Sequence, residues 1–343
     1  MKTLGLVNSW ALTACGSVAD MAEAILNDSP HIQEKECAFR IRDYRFGKLD
    51  LDDVQDVEDK FVTAVVTAVM KTRPLGAPMR NDGRLFIGTS MGVETSLSPI
   101  PRSTRQKIAA RLAIDPGRVV GVHTTCASSL DALMVAASSS KRTREAVTVV
   151  GVEVISDARR LAHSKLGTLA TGPYDPAGTS ANGIVLGEGV GACRLGCDLN
   201  NAESRNGYLA GWGAVTGSES YTRPDTTGRA LAEATLKACA MAKIAPTDIN
   251  AVMMHGTGTQ LNRVSEDRGL DEALGVVALR KVKRYYAKGY TGHTFGASGI
   301  VELLVLAEIL RRRHRAHKGE KYGLKLVNGF GGHVRAMIVG VTG

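Results

Sequence analysis

Strand-like and helix-like segments alternate along the whole chain, and after residue 205 the alternation begins a second time. In the first half, short apolar runs such as 118–123 and 147–150 are rich in β-branched residues and lead into longer runs with helical apolar spacing. This alternation is typical of an α/β fold, in which helices cover a largely parallel sheet. The sequence therefore predicts an α/β protein of two halves built on one plan, at residues 1–200 and 206–343.

The bulk composition is that of an ordinary globular protein. Of the 343 residues, 44% are hydrophobic and 22% are charged, which allows a core of normal size. The net charge of +9 indicates either a solvated basic surface or an acidic partner. We expect no nucleic-acid partner, because the sequence has neither zinc-finger spacing nor basic segments interleaved with aromatic residues. We also expect no membrane span, since no apolar run reaches the roughly 18 residues that one needs.

The six cysteines stand at irregular intervals and include no Cys-x-x-Cys pair. In a chain of this length, that pattern predicts reduced thiols and a cytoplasmic location. Cys193 and Cys197 lack the second pair or the adjacent histidines that a zinc site requires, so we expect no metal site. The glycines at 187, 189 and 191 lack the spacing of a dinucleotide-binding loop, which argues against a nicotinamide cofactor.

The most informative local segment is HTTCASSL at 123–130, where a predicted strand runs directly into a predicted helix. A cysteine at such a junction lies at the positive end of the helix dipole, which favours the thiolate. Backbone N–H groups at the turn are placed to receive the oxyanion of an attacked thioester. Cys126 is therefore either a nucleophile or an inert thiol beneath the helix, and the segment alone favours neither.

Three further polar segments follow strand-like runs in the second half. HGTGT at 255–259 projects a histidine from a flexible loop, and KGYTGH at 288–293 places a lysine five residues before a second histidine. NGFGG at 328–332 leaves one phenylalanine among glycines. Each has an ordinary alternative, namely a core histidine, a surface lysine and a hairpin turn. Their fixed order, each at a strand end, is more specific than any one of them.

In this order the segments resemble the β-ketoacyl synthase branch of the thiolase-fold condensing enzymes, and the resemblance covers most of the chain. GIVLGEG at 183–189 is similar to a further stretch of that family. The resemblance implies an α/β, thiolase-like fold in which duplicated βαβαβαββ halves form a five-layered αβαβα sandwich. The N-terminal half would carry the nucleophile Cys126, and the C-terminal half would carry His255, Lys288 and His293.

The resemblance also implies a role for each matching side chain. Cys126 matches the acyl-accepting cysteine. His255 and His293 match two histidines whose neutral N–H groups would stabilise the enolate of a decarboxylated malonyl group. Lys288 and Glu266 match supporting residues, which we expect to form an ion pair that orients His293.

Three more residues take roles from the resemblance. Phe330 matches a gating phenylalanine, whose backbone N–H would form an oxyanion hole with that of Cys126. Thr257 and Thr259 are expected to bind substrate.

The function that the resemblance implies is a decarboxylative Claisen condensation in fatty acid, polyketide or polyene biosynthesis. The substrates would be carried on the phosphopantetheine arm of an acidic acyl carrier protein, without any other cofactor. The basic run at 311–315 is a candidate docking patch, or equally a basic helix end that complements the helix dipole. We expect a homodimer, or a heterodimer with another ketosynthase-like subunit.

The chain also departs from the family pattern. It is several tens of residues shorter than usual members, which leaves acyl chain length and partner surface open. It has Asn262-Arg263 where relatives usually have Gly-Asp, and His333-Val334 where they usually have Thr-Asn; His123 is unusual before Thr-Thr-Cys. Because the Cys-His-His-Lys set is intact, these changes predict tuning of the activity rather than its loss.

Two other functions stay open. One is a cysteine-dependent acyltransferase that does not condense, and the other is a non-condensing subunit of a heterodimeric synthase. The two histidines argue against the first, and Cys126 argues against the second. A degradative thiolase is disfavoured, because no cysteine follows Cys239 to act as the second catalytic thiol.

Overall fold

The computed structural model describes twelve stretches of the chain: 4–29, 46–47, 49, 56–73, 83–90, 100–171, 174–180, 183–196, 207–217, 220–276, 280–314 and 319–342. Two of the six cysteines, Cys37 and Cys197, lie outside these stretches, as do Arg315 of the basic run and residues 201–205 between the two predicted halves.

One continuous sheet crosses both halves. Its first-half strands are β1 (Leu4–Thr13), β2 (Leu85–Gly88), β3 (Val119–Val122), β4 (Val147–Glu153) and β5 (Gly189–Gly196). Its second-half strands are β6 (Tyr208–Thr216), β7 (Ile249–Met253), β8 (Lys283–Tyr285), β9 (Glu320–Gly329) and β10 (His333–Thr342). Gly16–Ser17 adds a two-residue strand beside β1, and Phe46–Gly47 pairs separately with Leu186–Gly187.

The order of the strands is the same in the two halves. Across the sheet it is β8-β7-β9-β10-β6-β1-β5-β4-β2-β3, with β1 and β6 paired at the centre. If the five strands of each half are counted along the chain, their order from the centre of the sheet outward is first, fifth, fourth, second and third in both halves. In each half, the outer three strands are parallel, and the first and fifth are antiparallel. The predicted duplication of an α/β unit is therefore confirmed.

The helices cover the sheet in layers. They are α1 (Val18–Leu26), α2 (Val57–Lys71), α3 (Arg102–Leu112), α4 (Ser128–Thr143), α5 (Asp157–Lys165), α6 (Arg229–Ala242), α7 (Gln260–Leu274) and α8 (Ser298–Arg313). Helices α4 and α8 pack on each other between the two halves of the sheet, whereas α2 covers the outer face of the first half and α6 that of the second. This is the five-layered arrangement of the thiolase-like fold.

Small residues let α4 approach the strands closely. A Cβ on Gly88, at the end of β2, would lie 2.5 Å from the Cα of Ser129. A Cβ on Gly151, in β4, would lie 2.5 Å from a methyl group of Ile300 in α8. Contacts this short exclude any side chain, so these glycines fix how deeply the amino ends of α4 and α8 sit against the sheet.

Two elements differ from the sequence patterns. Helix α5, which Ser156 caps by accepting the N–H of Arg159, was not predicted, because its exposed face is polar and its apolar stripe is short. Helix α7 begins at Gln260 rather than near residue 265, directly after the HGTGT loop. Among the described helices, none combines the length and the apolar character needed to cross a membrane.

Candidate active site

Cys126 lies in a short 3₁₀ turn, Thr125–Ala127, which joins β3 to α4. The turn is strained, because Thr125 adopts a φ of +51°, a left-handed conformation that a β-branched residue rarely takes. The hydroxyl of Ser128 holds the turn by accepting the N–H of Thr124 and donating to the carbonyl of Thr125. The thiol is thereby placed at the start of α4, only 7% exposed, as the sequence predicted.

His293 faces the thiol from the other half of the fold. Its Nε2 lies 3.2 Å from the Sγ of Cys126. On the far side of the ring, Nδ1 accepts the backbone N–H of Phe295 at 3.2 Å and lies 3.2 Å from the hydroxyl of Ser298. Because an atom that accepts an N–H carries no proton itself, the neutral ring has its hydrogen on Nε2. His293 therefore presents an N–H donor to the sulfur.

His255 completes the cluster. Its ring lies edge-on to that of His293, with centroids 5.4 Å apart. One ring nitrogen of each histidine and the sulfur of Cys126 lie within 4.8 Å of one another. Three ligand atoms this close could also hold a soft metal ion.

Burial sets the protonation states of these groups. Burial lowers the pKa of His255 and of His293 well below the ordinary value, and the charge of Lys288 lowers both further. Both rings are therefore neutral near pH 7. Burial also raises the pKa of the Cys126 thiol to about 11, although Lys288 pulls it down. The helix dipole was expected to favour the thiolate, but desolvation outweighs it, so the resting group is the thiol.

The prediction that Lys288 pairs with Glu266 is wrong. The Nζ of Lys288 lies 2.7 Å from Glu302, one turn into α8, and both side chains are fully buried. The other carboxylate oxygen of Glu302 lies 2.6 Å from Lys325 on β9. Glu302 gave no signal beyond an isolated charge in an apolar helix, because a pairing across 14 residues depends on the tertiary fold.

Glu266 supports the first histidine loop instead. Its carboxylate accepts the backbone N–H groups of His255 and Gly256 and the side-chain amide of Asn262. It thus ties the loop that carries His255 to α7, the helix that follows. Asn262, one of the departures from the family pattern, is buried and has a structural use in this network.

Phe330 lies at the tip of the β9–β10 hairpin, above the thiol of Cys126. Its backbone N–H points at the thiol of Cys126, and its carbonyl accepts the Thr125 hydroxyl at 3.0 Å. Its side chain is 40% exposed, although it is large and apolar. The loop is held on its other side where the N–H of Gly331 donates to the Tyr221 carbonyl. The phenylalanine ring is therefore free to cover the thiol while the backbone beneath it is fixed.

The two predicted substrate-binding threonines lie in the HGTGT loop. Thr257 is buried, and its hydroxyl lies 3.2 Å from that of Thr259. Thr259 stands immediately before α7 and makes no capping hydrogen bond with its side chain. Their hydroxyls thus keep hydrogen-bonding capacity beside His255.

A second support that sequence reasoning missed lies behind His293. The ring of Phe295 stacks on it, with centroids 4.5 Å apart at 17°. The guanidinium of Arg159 lies over the outer face of Phe295, 5.2 Å from the centroid, and pairs with the buried Glu153. Glu153 also accepts the N–H of Gly296, which fixes the turn after His293. The unpredicted helix α5 carries this arginine.

Two arginines of the candidate docking patch form ion pairs within the chain. Arg311 and Arg312 both pair with Glu308, one turn earlier on α8, and Arg312 also lies near Glu23. Arg313 lies over the ring of Tyr285. These contacts fit the alternative reading of a basic helix end.

Comparison with known proteins agrees with this geometry. The β-ketoacyl synthase N-terminal domain matches residues 52–196, and the C-terminal domain matches residues 207–317. The 3-oxoacyl-[acyl-carrier-protein] synthase 2 of Mycobacterium bovis is 33% identical over 153 residues, which are 42% of this chain and 36% of that protein. The polyketide synthase ThaG of Burkholderia thailandensis is 31% identical over 248 residues, 66% of this chain and 4% of that protein. The matched stretch therefore spans at most little more than a third of the length of either curated relative.

Solved structures extend the likeness to nearly the whole chain. A chain of the complex of ketosynthase ApeO with its chain length factor ApeC, from Xenorhabdus doucetiae, superposes with a TM-score of 0.80 at 20% identity, covering 99% of this chain and 98% of that one. The AntDE:AntF complex, a type II PKS acyl-carrier protein with its ketosynthase bound to the hexaketide, gives 0.80 at 19% identity, covering 99% and 100%. At these identities the superpositions establish the fold, and the two domain matches establish the family. The chain belongs to the β-ketoacyl synthase family.

Proposed function

We propose that the protein is a β-ketoacyl synthase that condenses a Cys126-bound acyl group with a malonyl thioester and releases CO₂. The observation that carries the proposal is the placement of one thiol and two neutral imidazoles within 4.8 Å of one another, in a buried site. A simple acyl transfer needs the thiol and an oxyanion hole but has no use for a second imidazole. Decarboxylation, which creates an enolate oxyanion, does.

In the loading step, the sulfur of Cys126 attacks the carbonyl carbon of an acyl thioester, and the new C–S bond replaces the old one. The proton of the thiol leaves with the departing thiol of the donor, so the exchange is balanced. The backbone N–H groups of Cys126 and Phe330 would receive the transient oxyanion together. The Nε2–H of His293 stabilises negative charge on the sulfur as the proton leaves.

In the second step, the malonyl carboxylate leaves as CO₂, and the electron pair of the broken C–C bond becomes an enolate. Its oxygen needs hydrogen-bond donors, which the N–H groups of His255 and His293 supply. A neutral imidazole suits this task better than an imidazolium, which could protonate the carbanion. The lowered pKa of each ring therefore favours condensation over protonation of the enolate, which would leave an unproductive acetyl thioester.

In the third step, the enolate carbon attacks the acyl carbonyl on Cys126. The new C–C bond forms, the C–S bond breaks, and the sulfur leaves as a thiolate that regains its proton from solvent. Phe330, whose exposed ring lies above the thiol, excludes water during this step.

The substrates of this reaction would arrive on the phosphopantetheine arm of an acidic acyl carrier protein. The net charge of +9 suits such a partner, and the hydroxyls of Thr257 and Thr259 would bind the arm. We infer a cytoplasmic enzyme that needs no further organic cofactor and works as a homodimer or as one half of a ketosynthase heterodimer. The acyl group belongs to fatty acid or polyketide-type synthesis.

The test is an intact-mass and CO₂ assay with acyl-carrier and malonyl-carrier thioesters. The expected result is an acyl adduct that Cys126→Ala abolishes, together with CO₂ release that depends on the malonyl thioester. Loading without CO₂ release would support a plain acyltransferase, and failure to load would support a non-condensing subunit. Either result would overturn the proposal.

A further inference from the structure

Lys325 is a second lysine at the base of the site, and the reaction as described so far gives it no part. It stands on β9, and its side chain is completely buried. Its Nζ lies 2.6 Å from Glu302 and donates to the backbone carbonyl of Met254 at 3.2 Å. Met254 is the residue immediately before His255, so the ammonium group is attached to the backbone that carries the first imidazole.

The contacts leave this lysine without a carboxylate of its own. Glu302 already pairs with Lys288 at 2.7 Å, so two ammonium groups share one acid. Glu266, the next carboxylate, directs its oxygens to the N–H groups of the His255 loop and contacts neither lysine in the described structure. Two buried ammonium groups that share one carboxylate leave an excess of positive charge beneath the two imidazoles.

The charge of Lys325 reaches both imidazoles. It is among the causes that lower the pKa of His255 and of His293, after burial and Lys288. A group that disfavours a positive charge on these rings also favours a negative charge that the rings bind. This excess positive charge thus lies near the place where the enolate oxygen would form.

We propose that Lys325 is a positioning residue for the decarboxylation step, which holds the His255 loop through the Met254 carbonyl and supplies the unbalanced positive charge that favours the enolate. The inference rests on the proposed condensation and deepens it. Lys288 and Glu302 form a pair without net charge, and Lys325 adds one positive charge to it.

Burying a second cation has a recognisable cost. Burial lowers the pKa of Lys325 to about 8, against the attraction of Glu302 and Glu266 and with the repulsion of Lys288.

The experiment compares Lys325→Met and Lys325→Gln with Lys321→Met. Lys321 stands on the same face of β9 but is partly exposed, so it tests the same chemical change away from the site. Three rates are measured from pH 6 to 9.5: loading of Cys126, single-turnover CO₂ release, and overall condensation. Thermal unfolding is measured on the same samples. Lys325→Gln keeps a donor for the Met254 carbonyl without the charge.

We expect both Lys325 variants to lose CO₂ release by on the order of 10- to 100-fold, since misplacement of about 1 Å costs up to 10²-fold. Loading of Cys126 and the KM for the malonyl thioester should change less than threefold. In the wild type, CO₂ release should fall through about pH 8 as Lys325 loses its proton, and the variants should lack this fall. Lys321→Met should match the wild type.

Unchanged CO₂ release and an unchanged pH profile in both variants would overturn the inference. A loss shared equally by loading and CO₂ release, with a matching loss of thermal stability, would also overturn it in favour of a structural role. If the wild type releases no CO₂, the proposed function fails, and the inference is then read from imidazole ¹⁵N spectra. Spectra of His255 and His293 that are the same in Lys325→Met as in the wild type would reject it.

Discussion

The Nε2 of His293 lies 3.2 Å from the sulfur of Cys126 and carries the ring proton. The ring is therefore a hydrogen-bond donor to the sulfur and to a later oxyanion, and not the base that removes the thiol proton. This assignment follows from the backbone N–H of Phe295, which occupies the lone pair of Nδ1. In the proposed reaction, loading therefore does not need the ring as a base, whereas decarboxylation needs its N–H as a donor.

Replacement of His293 should therefore impair decarboxylation more than loading. In His293→Ala, we expect CO₂ release to fall by on the order of 10²-fold or more, because one of two oxyanion donors is lost. Acylation of Cys126 should fall by less than 10-fold. Rapid-quench mass spectrometry separates the two rates. Equal losses in both would show instead that the ring is the base for the thiol.

The reactivity of Cys126 should rise steadily with pH. Because burial raises the pKa of its thiol to about 11, little thiolate exists at neutral pH. Alkylation by iodoacetamide, resolved by site with peptide mass spectrometry, should increase up to at least pH 9.5 without a plateau. Cys126→Ser provides the blank. A plateau below pH 8 would contradict the raised pKa and would indicate a preformed thiolate.

Loss of Glu302 should destabilise the fold severely. Glu302→Gln leaves Lys288 and Lys325 buried without their shared carboxylate, which we expect to lower the free energy of unfolding by about 3–5 kcal/mol. Glu308→Gln, on the same helix, removes the acid that pairs with Arg311 and Arg312 near the surface and should cost at most about 1 kcal/mol. Urea unfolding compares them, and equal costs would contradict the buried cluster.

Stability should depend on pH in a way that reports on Lys325. Its pKa is about 8 in the folded chain and 10.5 for an ordinary lysine, so between these values the unfolded chain binds more protons. The free energy of unfolding should then rise with pH relative to Lys325→Met, by about 1 kcal/mol between pH 8 and 9. Below about pH 7, where Lys325 is protonated in both the folded and the unfolded chain, the difference should be constant. A difference that falls above pH 8 would contradict the lowered pKa.

The approach of α4 to the sheet should not tolerate a methyl group at Gly88. In Gly88→Ala, the new Cβ meets the backbone of Ser128 and Ser129 at about 2.5 Å, so the turn of Cys126 must move. We expect acyl loading to fall by on the order of 10²-fold. Ile87→Val, on the same strand, should cost about 1 kcal/mol in stability and leave loading unchanged. Equal loading in the two variants would contradict the fit.

Periodicity and motif order predicted the fold and the three side chains of the buried cluster, because Cys126, His255 and His293 each lie between a strand and the long helix that follows it. The side chains that support these three groups from behind could not be predicted in this way. Glu302 and Lys325 lie 23 residues apart on different elements, and Arg159 reaches His293 only through the ring of Phe295. Pairings of this kind depend on how helices cross the sheet, which no local pattern encodes.

The turns that carry Cys126 and His293 are copies of each other. HTTCAS at 123–128 and HTFGAS at 293–298 stand 170 residues apart, and each forms a 3₁₀ turn before a 16-residue helix. The third residue of each, Thr125 and Phe295, has the same rare positive φ. The first turn contributes the thiol of its fourth residue, Cys126. The second turn contributes the imidazole of its first residue, His293. The two halves thus contribute different members of equivalent turns to one cluster, so neither half alone contains both the thiol and the imidazole.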